Sequence, residues 1–254
     1  MRASPPSDTL PLEHFASLAA LEDHYWWHQT RYLAALAALT AGGATPAWSV
    51  GDVGCGTGGF LRFLRAHGFE RVAGFDASPV ALARAGEGGI AVHAVDLEAP
   101  FTLAGAPWDA LVAMDVVEHV ADDRGFLRAI AQALRPGGLL LLTAPAFPHL
   151  FSRWDERLRH HRRYTRRSIA AAVQGAGLVP ATSAYLFATA YPAALLRRWL
   201  GWRDGRDACE FPPVAPGVDR ILRWLGRAEV ALPPLLRPVG TSVTLLAQRP
   251  APRA

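Results

Sequence analysis

The groups with chemistry to offer in this 254-residue chain are acids and histidines set at the ends of short apolar runs. Asp52 closes the run Trp48-Ser49-Val50-Gly51 and leads into a turn holding Gly54, Gly56, Gly58 and Gly59. Glycines there let a ligand approach the backbone and supply positive φ, and the N–H groups opening the next helix favour a polar or anionic ligand group. Gly54, Gly56 and Gly59 satisfy G-x-G-x-x-G, while Asp52, Gly54, Gly56 and Gly58 satisfy D-x-G-x-G-x-G, so the glycines alone do not choose a cofactor. Asp52 tilts the choice, because a carboxylate at a strand's end repels a diphosphate but suits a ligand carrying an ammonium and a sulfonium. Asp76 lies 22 residues past Gly54, where a carboxylate can accept from both hydroxyls of a ribose, and Asp96 closes a third apolar run. His119 and His160 are the candidate bases, since imidazole titrates near working pH. The competing role of His119 is to orient the Asp115 region from a helix end. Cys55, inside the turn, reads as a small buried residue and not as a nucleophile.

These groups need a scaffold that gathers strand ends. From residue 48 the pattern alternates strand and helix with short punctuated connections, the signature of a doubly wound parallel sheet. Strands are predicted near 48–53, 71–75, 90–95, 109–114, 139–143, 178–186 and 241–247, with helices near 58–67, 78–85 and 122–134. Pro136-Gly137-Gly138 is expected to stop the last of these helices ahead of a buried strand. In such sheets ligands bind beyond the carboxyl ends of the strands, where the acids lie. Residues 1–11 are expected to fray, and 12–40 read as helical. The aromatic-dense Glu22-Asp23-His24-Tyr25-Trp26-Trp27 is expected to pack on the sheet domain, with a flap over the ligand as its competing role.

Composition narrows the chemistry. At 51% hydrophobic the chain can bury a large core. All 26 basic residues are Arg, which removes Schiff-base and lysine-base mechanisms. The net charge of +4, with abundant Ala and no Asn, reads as compositional bias and not as a nucleic-acid surface. Two cysteines, Cys55 and Cys209, make neither a disulfide framework nor a zinc spacing, so no metal site is expected and a reducing compartment fits. The start Met1-Arg2-Ala3-Ser4-Pro5-Pro6 lacks the apolar core of a secretory leader, and no run approaches the length of a spanning helix. A cytoplasmic location is expected, with peripheral membrane contact left open.

The segment Trp48 to Leu61 resembles motif I of the class I S-adenosylmethionine (SAM) methyltransferases. Four further signals stand in that family's order: Asp76, then Asp96-Leu97, then Asp115-Val116-Val117-Glu118-His119-Val120 like its D-x-x-x-H-v segment, then Leu134-Arg135-Pro136-Gly137-Gly138 like its L-x-P-G-G turn. No N-P-P-Y-like tetrad follows the fourth strand, which argues against adenine-modifying members. Asp155-Glu156-Arg157-Leu158-Arg159-His160-His161-Arg162-Arg163-Tyr164-Thr165 resembles a D-x-x-x-G-H-x-R-R-Y-t segment of a bacterial UbiE/UbiG-like subgroup, with Arg159 in the glycine's place.

The resemblance implies an α/β Rossmann-like sheet of seven strands in the order 3-2-1-4-5-7-6. It implies SAM as cofactor and S-adenosylhomocysteine as product. Asp52 and the Gly54, Gly56 and Gly58 backbone would hold the methionine moiety, Asp76 the ribose, and Asp96 with Leu97 the adenine. Contacts are implied also for Cys55, Ala77, Met114 and Asp115. The expected organisation is a single methyltransferase domain: an N-terminal helical cap over 1–45, a SAM-binding core over 46–186, a helical insertion over 187–239 acting as acceptor cap, and a last strand over 240–248.

In that insertion Ile221, Leu222, Leu225 and Ala228 make an apolar face opposite Asp219, Arg220, Arg223 and Arg227. Leu195, Leu196, Trp199, Leu200 and Trp202 make a patch beside Arg197, Arg198 and Arg203. Both are expected to pack on the core, with a lipid-facing surface carrying snorkelling arginines as the alternative. The implied reaction moves a methyl group to a small-molecule, lipid-linked or glycan acceptor, at oxygen. A SAM-fold scaffold subunit without turnover and an NAD-dependent oxidoreductase, the latter supported only by the glycines and Asp76, are the competing readings. Nucleic acid is not expected as a partner, and the oligomeric state is not indicated.

Overall fold

The computed structural model describes residues 12–200 and 214–251, so the segment 1–11, Trp202, Arg203 and Cys209 lie outside the described residues. Two helices, α1 (Leu12–Leu21) and α2 (Trp26–Ala41), precede β1 (Val50–Val53), α3 (Gly59–Ala66), β2 (Val72–Asp76), α4 (Pro79–Ala85), β3 (Ala91–Ala94), β4 (Trp108–Met114), α5 (Asp123–Ala133) and β5 (Leu134–Pro145). Then come α6 (Arg153–Arg157), α7 (Arg166–Gly175), β6 (Val179–Leu186), α8 (Tyr191–Trp199), α9 (Pro216–Ala231) and β7 (Ser242–Gln248). The strands form one sheet in the order β3-β2-β1-β4-β5-β7-β6. β7 runs antiparallel to β5 and β6, and the other pairs are parallel. This is the architecture that the resemblance implies.

The aliphatic run of β5 explains why the sheet is covered on both sides. Successive side chains of a strand point to opposite faces. Leu140 and Leu142 enter the core layer with Leu127 of α5 and Ile169 of α7, while Leu139 and Leu141 enter the layer with Leu39 of α2 and Leu61 of α3. Each such buried leucine contributes about 1.5–3 kcal/mol relative to exposure.

Three local expectations change. The helix predicted over 12–40 is two helices, because Glu22 leaves the helical path at their junction. Its buried carboxylate accepts from the Gly59 N–H at 3.1 Å and pairs with Arg62 at 2.5 Å. Pro136-Gly137-Gly138 lies inside β5: the strand already pairs Leu134 with Trp108, and the register shifts between Trp108 and Ala110, with Gly137 at φ +77. The helix before it ends at Ala133, and Leu134 at φ −77 and ψ 147 already has the extended backbone of β5.

The third change concerns α9, whose apolar face does not pack on the core. Its buried residues are Asp219 and Gly226, while Ile221 and Ala228 are exposed and Leu222 and Leu225 half-buried. Two demands of α2 impose this. A Cβ on Gly226 would stand 2.1 Å from Thr30 Oγ1, so only glycine permits the close crossing. The N-terminus of α2 has no side-chain cap of its own, and Asp219 supplies an acceptor to the Trp26 N–H at 2.9 Å. Leu195, Leu196, Trp199 and Leu200 of the α8 region are exposed as well. The aromatic segment packs instead of forming a flap: Trp27 stacks on Phe187 past β6 at 3.6 Å between ring centres, and Trp26 meets the same ring edge-on at 5.6 Å.

Candidate functional site

The first half of the site is backbone shaped by glycine. Gly54, Gly56 and Gly58 take φ +76, +52 and +86 after β1, a region L side chains rarely adopt. A Cβ on Gly54 would stand 2.4 Å from Val116 Cγ2, and one on Gly58 2.8 Å from Ala85 Cα, so the turn also needs glycine to nest against β4's exit and α4. Asp76 ties the two strand ends together. Its Oδ2 accepts from Gly56 N–H at 2.9 Å and its Oδ1 from Ser78 N–H at 2.8 Å, leaving lone pairs for further donors. Burial raises the Asp76 carboxyl above its ordinary range, against the pull of those backbone donors.

Asp52 sits buried beneath this turn. Burial pushes its carboxyl up to about 7; the Arg31 guanidinium opposes that shift, and Asp76 and Glu22 add to it. The turn's Thr57 Oγ1 and the nearby Arg31 Nε are buried without a hydrogen-bond partner. A buried acid lacking enough positive charge, beside orphaned polar atoms and a carboxylate suited to a diol, fits a ligand with an ammonium, a sulfonium and a ribose. The donor set therefore suits SAM. Cys55 is buried, its thiol 3.6 Å from the Gly56 carbonyl and pushed well above its usual range by burial, as befits an inert residue. Asp96 stands apart, exposed and accepting from Glu98 N–H at 3.0 Å, while Leu97 packs half-buried against the core.

Where β4 ends, Met114 is buried and Asp115 takes φ +56, backbone of the kind that collects at functional sites. Asp115 pairs with Arg31 of α2 and accepts from Thr143 Oγ1 at 3.0 Å, which fixes it between β4 and β5. Three residues on, Glu118 is fully buried and neither of its carboxylate oxygens has a partner. Burial, then the charge of Asp115, raises it well above its ordinary range.

The second half of the site is held by the segment after α6. Ser152 caps α6 and presents Asp155, whose Oδ1 lies 2.9 Å from His160 Nδ1. Arg163 donates to both oxygens of Asp155, at 2.7 and 2.9 Å. Burial works against the Asp155 charge, but the bonds from His160, Arg163 and Ser152 outweigh it and hold the carboxyl well below the usual range. His161 N–H donates to the Glu118 carbonyl at 2.8 Å, and Tyr164 N–H to that of Pro145 at 2.9 Å. These bonds dock the segment on the exits of β4 and β5. The His160 ring thereby meets His119 edge-on, 4.6 Å between centres. Arg159 takes φ +58, the conformation a glycine would supply.

Of the residues singled out from sequence, the glycines, Asp52 and Asp76 come together, His119 and His160 form a pair, and Asp115 lies between the two groups. Glu22, Arg31, Thr143, Glu118 and Asp155 were not singled out. Glu118 and Asp155 sit inside recognisable motifs, whereas nothing local to Arg31 marks it.

Comparison with known proteins bears on the family and the fold. A family model described as a methyltransferase domain matches residues 25–182. The chain is similar to a ubiquinone biosynthesis O-methyltransferase of Methylobacterium sp., 44% identical over 93 residues that span 35% of this chain and 37% of that relative. Among solved structures, an S-adenosylmethionine-dependent methyltransferase from Mesorhizobium loti shares the fold at TM-score 0.54 and 20% identity, over 85% of this chain and 98% of that one. Phosphoethanolamine N-methyltransferase 2 of Haemonchus contortus, solved with S-adenosyl-L-methionine, does so at TM-score 0.57 and 16% identity, over 85% of this chain and 52% of that one. The dinucleotide alternative that the glycines alone left open falls with the family match. The chain belongs to the family of SAM-dependent methyltransferase domains.

Proposed function

We propose that the protein transfers a methyl group from SAM to an oxygen of a small-molecule, lipid-linked or glycan acceptor, with His160 as the base. When bound, SAM supplies a methyl group activated on a sulfonium. Asp52 and the glycine turn hold its methionine moiety, Asp76 its ribose, and Asp96 with Leu97 its adenine. The observation that carries the reading is the buried Asp155 carboxylate 2.9 Å from His160 Nδ1. An ionised acid there takes the Nδ1 proton as its hydrogen bond, which leaves the lone pair on Nε2 for an acceptor hydroxyl. Asp155 is thus a positioning residue, and Arg163 keeps it ionised. Relatives named O-methyltransferase support oxygen as the atom methylated. The test is transfer of labelled methyl from SAM to a panel of phenols, sugars and isoprenoid-linked phenols. Label on oxygen, lost in His160→Gln while S-adenosylhomocysteine still binds, supports the reading; cofactor binding with no label on any acceptor favours a scaffold role.

One observation favours a second reading of the same cluster. Ligand atoms of Glu118, His119 and His160 lie within 4.8 Å of one another, and the Glu118 oxygens are unpartnered. A divalent cation held there would polarise an acceptor hydroxyl directly. Treatment with a chelator separates the two: base catalysis survives it, whereas a cation site loses turnover and regains it on metal addition.

A further inference from the structure

The helix α9 is turned inside out relative to an ordinary surface helix. Its acids face the protein. Asp219 accepts from Trp26 N–H at 2.9 Å and pairs with Arg223 at 2.7 Å, while Glu229 accepts from the Phe187 and Ala188 N–H groups at 3.1 and 2.9 Å. Its outward side is apolar, while Leu222, Leu225 and Val230 are half-buried at its flanks. Ile221, Trp224, Ala228 and Ala231, spaced three and four apart, form one exposed stripe, with Ile221 at 60% and Trp224 at 67% exposure. Arg220 and Arg227, seven residues apart and both exposed, run along one border of that stripe.

The surroundings repeat the pattern. Of the twelve large hydrophobics exposed among the described residues, ten lie between Leu195 and Leu236, and Trp199 at the end of α8 reaches 81%. A single exposed leucine needs no explanation, but a contiguous stripe along one helix, such as that of Ile221 and Trp224 on α9, marks an interaction surface. The chain's own core does not cover this face, since α9 is already seated on α2 through its opposite side.

We propose that this outward face of α9 is a docking surface for an anionic lipid bilayer. Charge selects this occupant. Both acids of α9 are consumed by inward hydrogen bonds, so the charge bordering the stripe is arginine, complementary to a negative surface. A second copy of the same face would set arginine against arginine. The chemistry of the stripe agrees: tryptophan prefers the boundary between headgroups and acyl chains, and arginine stems lie along apolar surface while their heads stay in water. No helix among the described residues is long and apolar enough to cross a membrane, so the contact is peripheral.

The test is flotation of the full chain with vesicles of phosphatidylcholine alone and of equimolar phosphatidylcholine and phosphatidylglycerol, read together with tryptophan fluorescence. The expected result is binding to the anionic vesicles, weakened by salt, with a blue shift of the tryptophan emission. The pair Ile221→Ser and Trp224→Ser should abolish the shift, and the pair Arg220→Glu and Arg227→Glu should weaken partition about tenfold or more. All four positions are exposed, and unchanged thermal melting of the variants separates lost docking from lost folding. Absence of binding to both vesicle types, equal binding to both, or a solution dimer that Trp224→Ser dissociates would each overturn the proposal.

Discussion

The two halves of the site are built from different material. The glycine half, between β1 and β2, is made mostly of backbone: turns with positive φ, N–H groups, and one acid that bonds the chain at Gly56 and Ser78. The histidine half is made of side chains drawn together from afar, with Asp155 gripping His160 and Arg163 and the Glu118 carbonyl holding His161. A backbone-built site tolerates little because every atom is already used for folding. A side-chain site can lose its chemistry and keep its fold. Substitutions in the two halves should therefore fail in different ways.

The largest expected effect lies in the histidine half. His160→Gln should lower kcat about 10²–10⁴-fold, the span of a general base, while melting and S-adenosylhomocysteine affinity stay near wild type. Asp155→Asn should also lower kcat, and it should disturb the pH profile because the Nδ1 tautomer is no longer fixed. An equal fall in ligand affinity would erase the proposed division of labour.

Next comes Gly54→Ala, which the comparison expects to break the fold before the chemistry. The added Cβ meets Val116 Cγ2 at 2.4 Å in a backbone with φ +76. A loss of about 2–5 kcal/mol in urea unfolding is expected from strain and overpacking together. Wild-type stability in that variant would mean that the turn rearranges freely.

Asp52 sharpens the contrast through pH. Its carboxyl is raised to about 7, and the ammonium group that S-adenosylhomocysteine shares with SAM favours its ionised form. S-adenosylhomocysteine affinity, read by calorimetry, should therefore rise by up to about tenfold per pH unit below 7 and level off above it. In the ligand-free protein the sense reverses: a carboxyl raised on folding makes stability fall as pH climbs from about 4 to about 7. Asp52→Asn should flatten both curves. The smallest effect is expected at exposed Asp96, where Asp96→Ala should weaken ligand binding by roughly 1 kcal/mol or less in the same titration.

Residues that act on their near neighbours in the chain could be read in advance. The alternation of strand and helix from Trp48 onward, the glycine turn and the acids that close β1 and β2 declare themselves through period and spacing. What escaped the sequence depends on partners distant along the chain. Arg31 becomes part of the site only because α2 crosses near the exit of β4, and Glu22 only because it leaves its helix to cap α3's first N–H. His119 and His160, 41 positions apart, are two ordinary histidines until the docking of the segment after α6 brings their rings to 4.6 Å.

The contrast is sharpest in α9. Its sequence fixes that it is a helix with an apolar stripe and a charged one, since both follow from residue type and a 3.6-residue period. Which stripe faces inward was decided by the tertiary structure. α2 needs a glycine at its crossing and an acid at its uncapped N-terminus, and Gly226 and Asp219 meet both needs on one side of α9. Periodicity reports that two faces differ, whereas only the neighbour determines which of them is buried.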